Sequence, residues 1–209
     1  MADSYRTIEG DATATLKVDR SRFIAEALSV SDRAAVDDCL QTIRTREHKA
    51  THHCSAYRIG MDSQDFHYDD DGEPSGTAGQ PILRQIDGRD LTNTLVVVTR
   101  YFGGTKLGTG GLVRAYGDAA DAALDRAAIV ERIVRTSVRV RFDYDDTSAA
   151  RQLLQHFDAS IQESDYTDVT EWTVRVRASE VEAFVEAFTN ALAARGEVLW
   201  VGERERGGE

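Results

Sequence analysis

The sequence predicts an α+β protein built as two domains, and three observations carry that prediction. From Val130 onward the pattern runs strand, helix, strand, strand, helix, strand, which is the ferredoxin-like order. Ahead of it, short strands are mixed with amphipathic helices, as in an α+β sandwich. Between two glycine-rich segments lies Leu95-Val96-Val97-Val98-Thr99, a β-branched run that reads as a strand buried on both faces. The expected domains are residues 1–129 and 130–209.

Taken in order, residues 11–18 and 22–30 read as a strand pair turning at Asp19-Arg20-Ser21. Ser31 is the expected N-cap of a helix running to about Arg46, with Val36, Cys39, Leu40 and Ile43 at helical spacing. His53–Ile59 reads as a strand and Phe66–Tyr68 as a weaker one. After the buried strand, a helix opens between Leu107 and Gly111, carrying Leu112, Tyr116, Ala119, Ala123 and Ala127 on one face. In the second domain Val138, Val140, Phe142 and Tyr144 alternate with Arg139, Arg141 and Asp143, which places the four apolar residues inward. Asp146-Thr147 opens a helix with Ala150, Leu153, Leu154 and Phe157. Strands near 159–164 and 168–177 follow, the latter with Trp172, Val174 and Val176 on one face. Val181, Phe184, Val185, Phe188 and Leu192 then mark a helix, and 198–201 a closing strand before a polar tail.

Composition narrows the class. At 209 residues and 41% apolar content the chain can bury a core. It has no apolar run long enough for a membrane span and no signal-type segment after Met1. Cys39 and Cys54 lack metal-type spacing and read as reduced thiols with no disulfide partner, so a cytoplasmic protein is expected. The net charge is −11, yet lysine occurs only at Lys17, Lys49 and Lys106. An acid-rich, lysine-poor surface suits molar salt, where the Debye length shrinks to about 3 Å, and points to a halophilic, haloarchaeal source. The acidity then reports the solvent and does not argue against a nucleic-acid partner.

Chemistry concentrates in 69–116. Arg100, Lys106 and Arg114 surround the glycines Gly103, Gly104, Gly108, Gly110 and Gly111. A cation triad beside a glycine loop that feeds a helix N-terminus suits a phosphate. Neither a P-loop nor a dinucleotide fingerprint is present. Equally, the glycines serve packing, with Arg100 and Arg114 pairing Asp70, Asp71 or Glu73. Those three carboxylates form a weak candidate for Mg²⁺ or Ca²⁺, although Pro74 and Gly76 break any EF-hand pattern. His52 and His53 point to opposite faces of a strand and, with Cys54, make a structural role more natural than zinc. Ser75 lies outside a nucleophile elbow, and no catalytic residue is assigned. In the second domain Arg139, Arg141, Arg175 and Arg177 share the open sheet face, a secondary basic surface where RNA-binding sheets hold phosphate. Only Trp200 is placed there to stack a base, and Asp143 or Glu171 could neutralise the arginines.

The stretches DDDGEPSGTAGQPIL and VVVTRYFGGTKLGTGGLVRAY resemble the signature of the YigZ/IMPACT family. LKVDRSRFIAEALSV at 16–30, KATHHCSAYRIG at 49–60 and the tail from about residue 130 agree in order, so the resemblance spans nearly the whole chain. It implies a first domain folded like the second domain of small-subunit ribosomal protein five, a ferredoxin-like second domain, and a likeness to the last two domains of elongation factor G. Eukaryotic members act in control of translation initiation by binding the activator of a stress-responsive initiation-factor kinase. They carry an additional partner-binding domain that this sequence lacks, so only the broad translation link transfers. The expected function is thus a non-enzymatic factor, without cofactor, that binds RNA, the ribosome or a translation-related protein. The alternative is an enzyme acting on a nucleotide or phosphorylated small molecule at the glycine loop with Mg²⁺.

Overall fold

The computed structural model describes residues 3–60, 64–192 and 195–205, with side chains as far as residue 202. Its contacts divide into two compact units, Arg6–Glu131 and a second formed by the residues from Arg132 on together with those before Arg6. Two strands, β1 (Ser4–Glu9) and β7 (Ala128–Ile133), pair with each other, and the division falls within both.

The Arg6–Glu131 unit is built on a five-stranded antiparallel sheet. Its strands are β2 (Ala12–Val18), β3 (Ser21–Ser29), β4 (His52–Ile59), β5 (Asp65–Asp69) and β6 (Thr94–Tyr101), in the order β2-β3-β6-β4-β5. Central β6 is buried along Thr94–Arg100, as its unbroken apolar run requires. One face, with Phe23, Ala25, Cys54, Ala56, Val96 and Val98, packs under α2 (Gly79–Gly88) and α3 (Gly108–Leu124). The other face, with Leu95 and Val97, packs with Val36 and Ile43 of α1 (Arg33–Arg46).

Several expectations are corrected here. Asp32, not Ser31, caps α1, its Oδ1 accepting from the Ala35 N–H at 2.9 Å, while the Ser31 hydroxyl donates to Asp32. Helix α2 occupies part of the first glycine-rich segment, where no element was expected: Pro81 sits in its first turn, where the missing N–H removes no intrahelical bond. Helix α3 ends at Leu124, leaving Ala127 beyond it.

The second unit is a four-stranded antiparallel sheet of β8 (Arg135–Phe142), β9 (Ser160–Tyr166), β10 (Thr170–Arg177) and β11 (Gly196–Glu205). The order β11-β8-β10-β9 makes β8 and β10 central neighbours, as a ferredoxin-like sheet demands. Val138, Val140, Phe142, Trp172, Val174 and Val176 form its core with Leu154 of α4 (Thr147–His156) and Phe184 and Phe188 of α5 (Val181–Ala191). Tyr144 is corrected from core to surface: the strand stops at Phe142, a single turn follows, and its ring is 72% exposed. The polar tail past 205 lies outside the described residues.

Candidate functional site

Strand register assembles the site. Arg100 of β6 stands opposite His52 of β4 on one side and Phe23 of β3 on the other. Side chains opposite one another share a face, and this face continues the Val96–Val98 row into the core. A buried arginine there needs an anion, which Glu73 supplies. Glu73 Oε1 accepts from Arg100 Nη1 at 2.5 Å and from the Tyr116 hydroxyl at 2.7 Å. The two charged side chains are only 6% and 5% exposed. The Arg100 Nε–H is buried with no acceptor among the described residues. Burial raises the Tyr116 phenol far above its ordinary range, with Cys54 and Glu73 adding to the shift. Burial likewise pushes the Cys54 thiol up, and its Sγ–H donates to the Asp70 carbonyl at 3.1 Å.

The acidic turn is held by its own carboxylates. Asp70 Oδ1 accepts from the N–H groups of Ala78 (3.0 Å) and Gly79 (2.8 Å), and Oδ2 from that of Gly76 (2.7 Å), so Asp70 secures the start of α2. Asp71 Oδ2 accepts from the His53 N–H at 2.6 Å. With Glu73 held by Arg100 and Tyr116, all three candidate metal ligands are engaged by protein donors, and among the described residues no cluster could hold a metal ion. The Asp71 carbonyl lies 2.7 Å from His52 Nδ1. A carbonyl only accepts, so Nδ1 carries the proton and Nε2, 3.9 Å from Glu73, is left as the second functional atom of the ring.

Beside this network opens a cavity of about 400 Å³ bordered by His52, Arg100, Phe102, Lys106, Leu107 and Gly108, among others. Lys106 is exposed and makes no ion pair among the described residues. Helix α3 begins at Gly108, where φ is +71°, and no side chain caps its first turn, so its backbone N–H groups remain available near the cavity. Gly103 has a packing role instead: a Cβ there would stand 2.1 Å from the Arg20 carbonyl carbon, while its N–H reaches Ser21 Oγ at 3.1 Å. Gly104, Gly110 and Gly111 belong to the same loop and first turn. The expected triad is thus divided. Arg100 and Lys106 border one cavity, whereas Arg114 is exposed further along α3 and does not line it. Sequence reading passed over Phe102, which is 47% exposed, although an aromatic residue leading into two glycines was a usable signal.

Comparison with known proteins bears on this arrangement. The Impact N-terminal domain model matches residues 19–124, which contain every cavity residue named above, and a domain of unknown function, DUF1949, matches 140–195. The IMPACT family member YvyE of Bacillus subtilis is 35% identical over 198 residues, 95% of this chain and 91% of that protein. This chain belongs to the IMPACT family. The IMPACT family member YigZ of Escherichia coli is 34% identical, over 87% of this chain and 90% of that one. A crystal structure of a hypothetical protein superposes with a TM-score of 0.70 at 31% identity, covering 97% and 100% of the two chains.

In the second unit of this IMPACT-family chain, the predicted basic face carries its own carboxylate, Glu171. Glu171 stands opposite Arg141 in the sheet, and its Oε1 accepts from Arg141 Nε at 2.8 Å. Its Oε2 accepts from Arg139 Nη2 at 2.8 Å. The Arg141 hydrogen bond leads in holding the Glu171 carboxyl below its usual range. Arg177 pairs with Asp3 at 3.2 Å, and Arg175 is half-buried. Trp200 is 53% exposed and opposite Arg139, but the cations beside it already have carboxylate partners. No helix among the described residues is long and apolar enough to cross a membrane, and Cys39 and Cys54 are free thiols.

Proposed function

We propose that this chain is a non-enzymatic, translation-associated factor that holds RNA by a phosphate at the Arg6–Glu131 unit, through Lys106 and the first turn of α3. One observation carries the reading: Lys106 has no ion-pair partner among the described residues and borders a cavity next to an uncapped helix N-terminus. Together these supply positive potential that a phosphate oxygen can meet directly. Arg100 is balanced by Glu73 and the sheet arginines Arg139 and Arg141 by Glu171, so they offer less. The translation link comes from the family resemblance. Arg114, exposed on α3, is a peripheral contact in this reading. A cytoplasmic setting at molar salt belongs to the same proposal, supported by the acid-rich, lysine-poor composition.

Sedimentation of native lysate through a density gradient, following this protein across ribosomal fractions, tests the proposal. The wild-type protein is expected with ribosomal particles, Lys106→Ala with free protein, and an Arg139→Ala/Arg141→Ala double variant still with particles. Wild-type protein confined to the free fractions would contradict it.

A further inference from the structure

The lining of the cavity divides chemically in a way that a bare phosphate site does not need. Pro74, Phe102, Leu107 and Leu112 are apolar, whereas Lys106, Arg100 and His52 present nitrogen atoms. Phe102 is a large ring left 47% exposed, with the Arg100 guanidinium carbon 5.6 Å from its centroid. Exposed aromatic rings beside cationic groups are how proteins hold unstacked bases, because every base has a π-face and a phosphate attached nearby. The helix N-terminus does not stand alone as evidence. The Arg100 Nε–H, on a side chain 6% exposed that borders the same cavity, lacks an acceptor among the described residues. A buried charged donor left unmatched marks a polar side chain whose hydrogen bonds the protein itself does not complete. A volume of about 400 Å³ lies in the lower part of the range for small-molecule sites.

We infer that this cavity is a site for one 5′-phosphorylated nucleotide, its base laid on Phe102 and its phosphate held by Lys106 and the first-turn N–H groups of α3. His52 Nε2 supplies a polar contact that fixes its orientation, and the buried Arg100 guanidinium behind Phe102 adds positive potential. The inference rests on the RNA reading above and narrows it: the RNA is gripped at a single exposed nucleotide, not along a run of backbone. A free nucleotide carries the same chemistry, so the two sources are separated experimentally.

The test uses calorimetric titration of the full chain with the four nucleoside 5′-monophosphates, the parent nucleosides and inorganic phosphate. Alongside it, fluorescence anisotropy follows a short single-stranded RNA. Phe102→Ala and Lys106→Ala are compared with wild type, and Phe102→Tyr is the conservative control. Saturable monophosphate binding is expected, weakened about tenfold or more by Phe102→Ala through loss of stacking and retained in Phe102→Tyr. Inorganic phosphate should bind more weakly and be indifferent to Phe102→Ala. Monophosphates that bind no tighter than phosphate, or that ignore Phe102→Ala, would overturn the inference. RNA held at wild-type affinity by Phe102→Ala but lost in Lys106→Ala would overturn it while leaving the RNA reading standing. Phe102-dependent monophosphate binding with no RNA binding would uphold the site, make the free nucleotide its ligand and overturn the RNA reading.

Discussion

Glu73 is the residue on which the site turns, since one of its oxygens receives both the Arg100 guanidinium and the Tyr116 hydroxyl inside the core. Breaking a buried ion pair strands the remaining charge, which costs about 3–5 kcal/mol, more than most surface pairs ever contribute. Glu73→Ala is therefore expected to lower the urea unfolding free energy by about that amount. Replacing Arg100 and Glu73 together by apolar residues of similar volume should recover most of it. A loss below about 1 kcal/mol for the single variant would mean that Arg100 finds water or another anion. The sequence offered Arg100 as a cation but not its burial. Leu95–Val98 is apolar on both faces, so alternation alone could not say which face Arg100 joined; pairing with His52 and Phe23 decides it.

The β6–α3 loop shows two kinds of glycine within a few residues. At Gly103 a side chain would collide with backbone at Arg20 and Ser21, which cannot yield as a flexible side chain does. At Gly110, in the first turn of α3, a Cβ would meet nothing within 4 Å. Gly103→Ala is expected to lower the thermal midpoint by several degrees, whereas Gly110→Ala should leave it unchanged or raise it, alanine being favoured in helices by about 0.5–1 kcal/mol. Equal effects from both would show that the loop adjusts freely. Elements with local signals were readable from sequence: the amphipathic helices, the alternating strands β8 and β10, and the hairpin of β2 and β3. Helix α2 was not, because its N-terminal N–H groups are satisfied by Asp70, several residues upstream, and no adjacent cap announces it. Strand β1 was missed as well: its partner β7 lies more than a hundred residues along the chain, beyond the reach of any local pattern.

On the scale of the whole molecule, charge is the property that composition described well and location poorly. A net −11 carried with twenty-five basic residues says that cations are plentiful, not which are engaged. Glu171 takes up Arg139 and Arg141 only because strand register sets it opposite Arg141 and diagonal to Arg139, whereas Lys106 has no carboxylate partner among the described residues. The ferredoxin-like order was visible because β8, β10 and the two helices are each periodic by themselves; the candidate site was visible as a glycine-rich stretch, and its division into structural and accessible cations was not. The proposed contact of Lys106 with an RNA phosphate is reached most directly through the salt dependence of RNA affinity. Association constants for a single-stranded RNA should be measured for wild type and Lys106→Ala over a series of potassium chloride concentrations. Each phosphate contact releases condensed counterions, so log K against log salt falls by about 0.7 per contact on a single strand. Lys106→Ala is expected to bind more weakly and to give a line shallower by about 0.7, the same for every RNA sequence tried. Coincident lines for the two proteins would contradict it.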